Sequence, residues 1–289
     1  PAHLVEIESS AFCQCPALRE LTIPATVKRI GTRAFWGCEG LTRIEMLGPL
    51  TVIERRVFER CVLLQSTQLP PTVTQLLDNA FPACRTLQHI VIPDRVARIG
   101  DAAFSKCALE TIDLPSELEV IKQFAFASSQ LVRVVLGGCL TELGRGAFKE
   151  CSGLKSVTIR PGLTEIKSQT FLECPALVHV ELPSTLTTLG DSAFEKCSSL
   201  EQLVLPASVT SIGVAAFAGC TSLKALTIPD GVASIPTQAF QHCAKLARVE
   251  LPPSISIINK KAFYGCVGLS SLDLPQGLNT ISAAFLHTG

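Results

Sequence analysis

The chain is short of charge, of asparagine and of every large ring except phenylalanine, and each shortage removes a class of function. Asp, Glu, Lys and Arg make up 17% of its 289 residues, against roughly 25% in ordinary domains. The 25 basic residues balance 25 acidic ones, so the formal net charge is zero and no field exists to recruit nucleic acid or an anionic membrane. Proline, glycine or charge interrupts every apolar stretch before it reaches the roughly 18 residues of a spanning helix, so no membrane insertion is expected. One Trp, one Tyr and one Met leave few of the usual interface anchors. Asn79, Asn259 and Asn279 are the only asparagines, and none opens an N-x-S/T glycan acceptor.

Catalytic signatures are also missing. The chain has no phosphate-binding glycine loop, no G-x-S-x-G elbow and no H-E-x-x-H helix, and its five histidines are scattered. The expectation is a protein that is not an enzyme and takes no cofactor and no metal.

Phenylalanine, by contrast, recurs at intervals of 23 or 22 residues, at Phe12, Phe35, Phe58, Phe81, Phe104, Phe126, Phe148, Phe171, Phe194, Phe217, Phe240, Phe263 and Phe285. Cysteine follows three residues later in eleven of these registers, from Cys15 to Cys266, with Ser129 and Thr288 in the other two. A fixed period of this length marks a repeat solenoid. The consensus turn is F-x-x-C-x-x-L-x-x-(V/I)-x-(L/I)-P-x-x-(V/L)-x-x-I-G-x-x-A, shown in full from Phe194 to Ala216. Its V-x-L segment alternates as a short strand with one buried face, and proline ends it. Glycine follows at Gly31, Gly100, Gly144, Gly190 and Gly213, where a positive φ is expected to turn the chain. The A-F-x-x-C segment is too short for an independent helix, so one helical or 3₁₀ turn is expected on the outer side.

The A-F-x-x-C core, as in Ala193-Phe194-Glu195-Lys196-Cys197, followed by L-x-x-(V/I)-x-(L/I)-P, as in Leu246 to Pro252, resembles the BspA-like class of leucine-rich repeats over essentially the whole chain. That resemblance implies a right-handed leucine-rich-repeat superhelix, α/β horseshoe-like, with a parallel β-sheet on the concave face and short strands or 3₁₀/helical turns on the convex side. It also implies protein binding, in scaffolds or in surface adhesins. The expected organisation is a single array over residues 1–289 of about 12 turns, uncapped at both ends and belonging to a longer chain or assembly, whose ends stack on flanking repeats or other subunits.

Thirteen cysteines read first as a buried ladder. Equivalent side chains in a parallel stack recur about 4.8 Å apart and point the same way, whereas a disulfide needs facing Cβ atoms near 3.8 Å, and a 23-residue spacing does not converge on zinc. Cys13 and Cys139 lie off the ladder. Cys139 follows Gly137-Gly138 and is the expected exposed thiol, with a thiol-dependent enzyme there as a remote alternative. An odd cysteine count without a disulfide framework leans towards an intracellular setting, with the cell surface as the alternative.

The expected function is a non-enzymatic protein-binding or scaffold module, the alternative being a surface adhesin that binds matrix or host proteins. On the sheet face, a column of exposed positions carries Arg43, His89, Arg133, His179 and Arg248; residues two apart share a face, so Arg43–Glu45, His179–Glu181 and Arg248–Glu250 pairs are expected. A second candidate patch gathers Trp36, Arg55, Arg56, Arg60 and Leu63 on the outer side, where an exposed ring, an apolar neighbour and arginines combine interface chemistry.

Overall fold

The computed structural model describes residues 3–288; the expectation of uncapped ends at Pro1 and Gly289 lies outside them. The chain divides into two compact units, residues 1–148 and 149–289. Turns are numbered here by their spine phenylalanine, so Phe12 opens turn one and Phe194 turn nine. Both units are parallel-strand solenoids of the repeating turn, with no helix among the described residues.

In unit one the strand segments form a parallel sheet of Glu20–Ile23, Arg43–Met46, Ser66–Gln68 and His89–Val91. Ile44, Thr67 and Ile90 stand side by side and face inward. Thr67 is a polar residue in an apolar row, and its hydroxyl donates to Ile44 O at 3.4 Å, which offsets the cost of burying it. The post-proline residues form a second parallel sheet of two-residue strands, Val52–Ile53, Gln75–Leu76, Arg98–Ile99, Val120–Ile121 and Glu142–Leu143. Unit two repeats the plan. Its longer strands pair as Ser156–Ile159 with His179–Glu181 and as Ala225–Thr227 with Arg248–Glu250.

The phenylalanines form the spine. Neighbouring rings stack with centroids 5.0–5.6 Å apart in unit one and 5.2–5.9 Å apart in unit two. Rings from Phe35 to Phe263 are fully buried, each contributing roughly 1.5–3 kcal/mol relative to exposure. No single turn encloses its own ring. Stability therefore resides in the interfaces between turns.

The outer segment is not the helical or 3₁₀ turn expected from the sequence. Residues two before and two after each phenylalanine take a left-handed φ, such as Ser192 (54°) and Lys196 (61°) in turn nine and Arg33 (59°) and Gly37 (68°) in turn two. A right-handed helix cannot pass through such residues, each of which costs about 1–2 kcal/mol when not glycine. Hydrogen bonding offsets this cost. The N–H groups of Ser192, Phe194 and Lys196 reach forward to the carbonyls of Val214, Ala216 and Ala218 at 2.8, 2.8 and 2.7 Å, while those of Ala193, Glu195 and Cys197 close local turns at 3.2–3.3 Å. Alternate amides thus serve the neighbouring turn.

The glycines also play a different part from the one expected. Gly31, Gly100, Gly144, Gly190 and Gly213 are absent from the left-handed positions. A Cβ at Gly213 would lie 2.4 Å from Asp191 N, and one at Gly100 2.6 Å from Asp78 N. These glycines let the backbones of adjacent turns touch.

Candidate functional site

On the sheet face, alternation turns Ile44 and Ile90 inward and leaves Arg43, Glu45, Ser66, Gln68, His89 and Val91 outward. Together these three turns line a shallow cavity of about 370 Å³. The candidates Arg43 and His89 are therefore brought together, two strands apart. Arg133 is exposed further along unit one, while His179 and Arg248 are exposed in unit two and line no part of this cavity. Gln68 and Val91 complete the wall. The sequence signal for them was their place in the outward columns, which composition alone ranked below the cationic positions.

The expected neutralisation holds only in part. His179 Nε2 lies 3.0 Å from Glu181 Oε1, and Arg248 lies 2.7 Å from Glu250. Glu45 instead accepts from the Thr22 hydroxyl at 3.5 Å, and among the described residues Arg43 makes no ion pair. The carboxylate leans along its column to the preceding turn and leaves the guanidinium free. Val91, two strands away in the neighbouring column, is 72% exposed.

The outer patch has the opposite character. Trp36 is half-buried, with the Arg60 guanidinium 5.8 Å from its ring centroid. Arg60 also meets Glu39 at 3.1 Å, Arg55 meets Asp78 at 3.4 Å and Arg56 Nε lies 3.7 Å from Glu59 Oε2. Leu63 is 45% exposed. All three arginines are thus engaged within their own surface.

The ladder thiols are structural. Cys38, Cys61, Cys84, Cys107, Cys197, Cys220, Cys243 and Cys266 each donate Sγ–H to the carbonyl of the phenylalanine 26 residues earlier, at 2.9–3.3 Å. Burial pushes up the thiols of Cys38, Cys61, Cys84, Cys197 and Cys243, and those of Cys220 to about 12 and Cys266 to about 11, so they are poor nucleophiles. Cys139 is exposed, but Sγ lies 4.0 Å from the Glu117 carboxylate, whereas reactive thiols sit beside positive charge. Among the described residues no group of three or more His, Cys, Asp or Glu is placed to hold a metal ion.

A family model described as BspA type leucine rich repeat region matches residues 1–107, 74–201 and 187–288, and so runs the length of the chain. The chain belongs to this BspA-type leucine-rich repeat family. A leucine-rich repeat protein from Bacteroides ovatus is 28% identical, with a TM-score of 0.71 over 96% of this chain and 78% of that one. A leucine-rich cell surface protein from Faecalibacterium prausnitzii is 27% identical, with a TM-score of 0.60 over 98% and 83%. The pneumococcal vaccine antigen PcpA shares the fold at 19% identity, with a TM-score of 0.55 over 96% and 79%. No protein with a curated function matches the chain. Among the described residues, no helix is long and apolar enough to cross a membrane. BspA-type repeats are typically non-enzymatic and bind other proteins.

Proposed function

We propose that the chain is a non-enzymatic protein-binding module that holds its partner across the sheet face of unit one. The supporting observation is that the free guanidinium of Arg43 and the exposed Val91 line one cavity, with Ser66, Gln68 and His89 between and beside them. Arginine next to open apolar surface is the chemistry of interface anchors. The paired columns of unit two and the self-engaged arginines around Trp36 serve as surrounding surface. Strands spaced about 4.8 Å apart present this chemistry at regular intervals, which suits an extended segment of a partner.

Selection from a random peptide library displayed on phage tests the proposal. Enriched peptides are expected to lose binding to the Arg43→Glu and Val91→Asp variants and to retain it with Trp36→Ala. Peptides that depend on Trp36 and ignore Arg43 would place the binding face on the outer side instead. The adhesin reading draws support from the cell-surface neighbour, and the intracellular one from thirteen free thiols. A thiol titration on natively purified, denatured and unreduced protein separates them, since an oxidising compartment would cap or pair the accessible Cys139, Cys13 or Cys15 and leave fewer than thirteen.

A further inference from the structure

Pairing within unit two stops between turns nine and ten. Leu203 and Leu205 turn inward as a strand would place them, yet residues 202–205 form no strand with turn eight or turn ten, and a main-chain bond from Lys224 N to Glu201 O at 3.1 Å remains at this edge. The short-strand sheet breaks at the same level. Ser211–Ile212 pairs back to Thr188–Leu189, while Ser234–Ile235 pairs only forward, to Ile257–Ile258. In the amide row that runs beside this sheet, Thr210 donates to Thr187 at 2.9 Å and Ser256 to Ala233 at 2.9 Å, but no such bond joins Ala233 to Thr210. Turn five also lacks a strand at residues 111–114, yet there the short-strand sheet continues unbroken through Val120–Ile121.

The sequence of turn ten accounts for part of this. Two and four residues after the proline, turns nine and eleven carry hydroxyls that bond one turn back, from Ser208 to Leu186 O at 2.6 Å, Thr210 to Thr187 O at 3.4 Å, Ser254 to Val232 O at 2.7 Å and Ser256 to Ala233 O at 3.2 Å. Turn ten has Gly231 and Ala233 in those places and lacks both side-chain rungs. On the outer side the same joint stays closed, with Phe194 N bonded to Ala216 O at 2.8 Å and Lys196 N to Ala218 O at 2.7 Å. The spine is loosest there. Phe194 and Phe217 lie 5.9 Å apart, beyond the 5.2–5.5 Å of the other measured pairs in this unit. Over this edge lies a shallow cavity of about 540 Å³ lined by Leu203, Leu205, Leu226 and Ile228 and by the polar Gln202, Lys224, Thr227 and Asp230, with Lys224 bridging to Glu201 at 2.6 Å.

We propose that this joint is a hinge. Turns nine and ten part along their strand edges about the closed outer ladder, so the segment from residue 217 onward swings against residues 149–213 and bares the buried Leu203, Leu205, Leu226 and Ile228. Opening elsewhere in the unit must break the short-strand pairing, and at the joints between turns seven and eight and between turns ten and eleven the longer-strand pairing as well. Here neither sheet is paired and the edge keeps the Lys224 N to Glu201 O bond, which makes this the least costly place to open.

Hydrogen exchange of the full chain, read by mass spectrometry on overlapping peptides, tests the hinge. The amides of Ala233 and Ser234 are expected to exchange about tenfold faster than their counterparts Thr187, Thr210 and Ser256, each bonded one turn back at 2.8–2.9 Å, with little denaturant dependence, as local opening requires. Ala233 is exposed, and Ala233→Thr restores a rung, so it should slow exchange at residues 233–234 about fivefold and leave Thr187 and Thr210 unchanged. Lys224→Ala removes the rim bridge and should quicken it. Equal rates across these amides, exchange governed by global unfolding, or failure of Ala233→Thr to slow the joint would overturn the hinge.

Discussion

Raising the pH from 8 to 10 tests the thiol ladder most directly. Burial raises the thiol pKa of Cys38, Cys61, Cys84, Cys174, Cys197, Cys220, Cys243 and Cys266. In the unfolded chain each ionises near 8.5–9. Because the folded values are raised, the stability these thiols contribute is fully present below that range and falls as pH climbs towards the folded values, about 11 for Cys266 and about 12 for Cys220. Each thiol held neutral contributes a loss of about 1.4 kcal/mol per pH unit above its unfolded pKa. With eight thiols acting together, pH 10 removes on the order of 10 kcal/mol, comparable to the roughly 5–15 kcal/mol of an ordinary domain. Guanidinium denaturation followed by circular dichroism, under reductant, should therefore show the midpoint collapsing between pH 9 and 10. The Cys197→Val variant should shed one proton from that dependence, about 1.4 kcal/mol per pH unit. A midpoint flat across this range, or a slope that Cys197→Val leaves unchanged, would refute the reasoning.

Other measurements probe the same architecture. Under native conditions a thiol reagent should label Cys139 first and the half-buried Cys13 and Cys15 next, with the ladder reacting only after unfolding, as mass mapping of the labelled sites will show. Phe194→Ala leaves a cavity in the spine and should cost about 3–5 kcal/mol in denaturant stability. Gly213→Ala drives a Cβ to 2.4 Å from the backbone of the preceding turn and should cost about 1–3 kcal/mol. Glu173→Ala breaks the exposed pair with Lys196 and should leave the thermal melt essentially unchanged, so a clear loss would mean the pair does more than cover the surface.

The repeat was legible because Phe194 and its equivalents must fill the same space in every turn, which forces one residue type at one spacing. The left-handed positions were not. They are occupied by Ser192, Lys196, Arg33 and Glu173 as readily as by Gly37, since hydrogen bonds between turns, not side-chain identity, hold that backbone. Glycine misled for a related reason: at Gly213 the small side chain answers a contact from Asp191 one turn away, which a single turn read alone cannot reveal. On the sheet face, the pairs of Arg248 and His179 were readable from a two-residue spacing, whereas Glu45 chose Thr22 across the strands. The weak joint needed the structure too, because Gly231 and Ala233 look unremarkable until their neighbours' hydroxyls are seen to bond.

The two left-handed residues that flank each phenylalanine have a consequence for how such a chain changes length. The intervals of 22 residues, from Phe104 to Phe126, from Phe126 to Phe148 and from Phe263 to Phe285, all keep both flanking residues left-handed, so each deletion falls outside that five-residue frame. Insertions and deletions are therefore admissible between cysteine and strand or after the short strand. One placed inside the frame would shift the alternation of amides by a single step and unlatch that turn from the next.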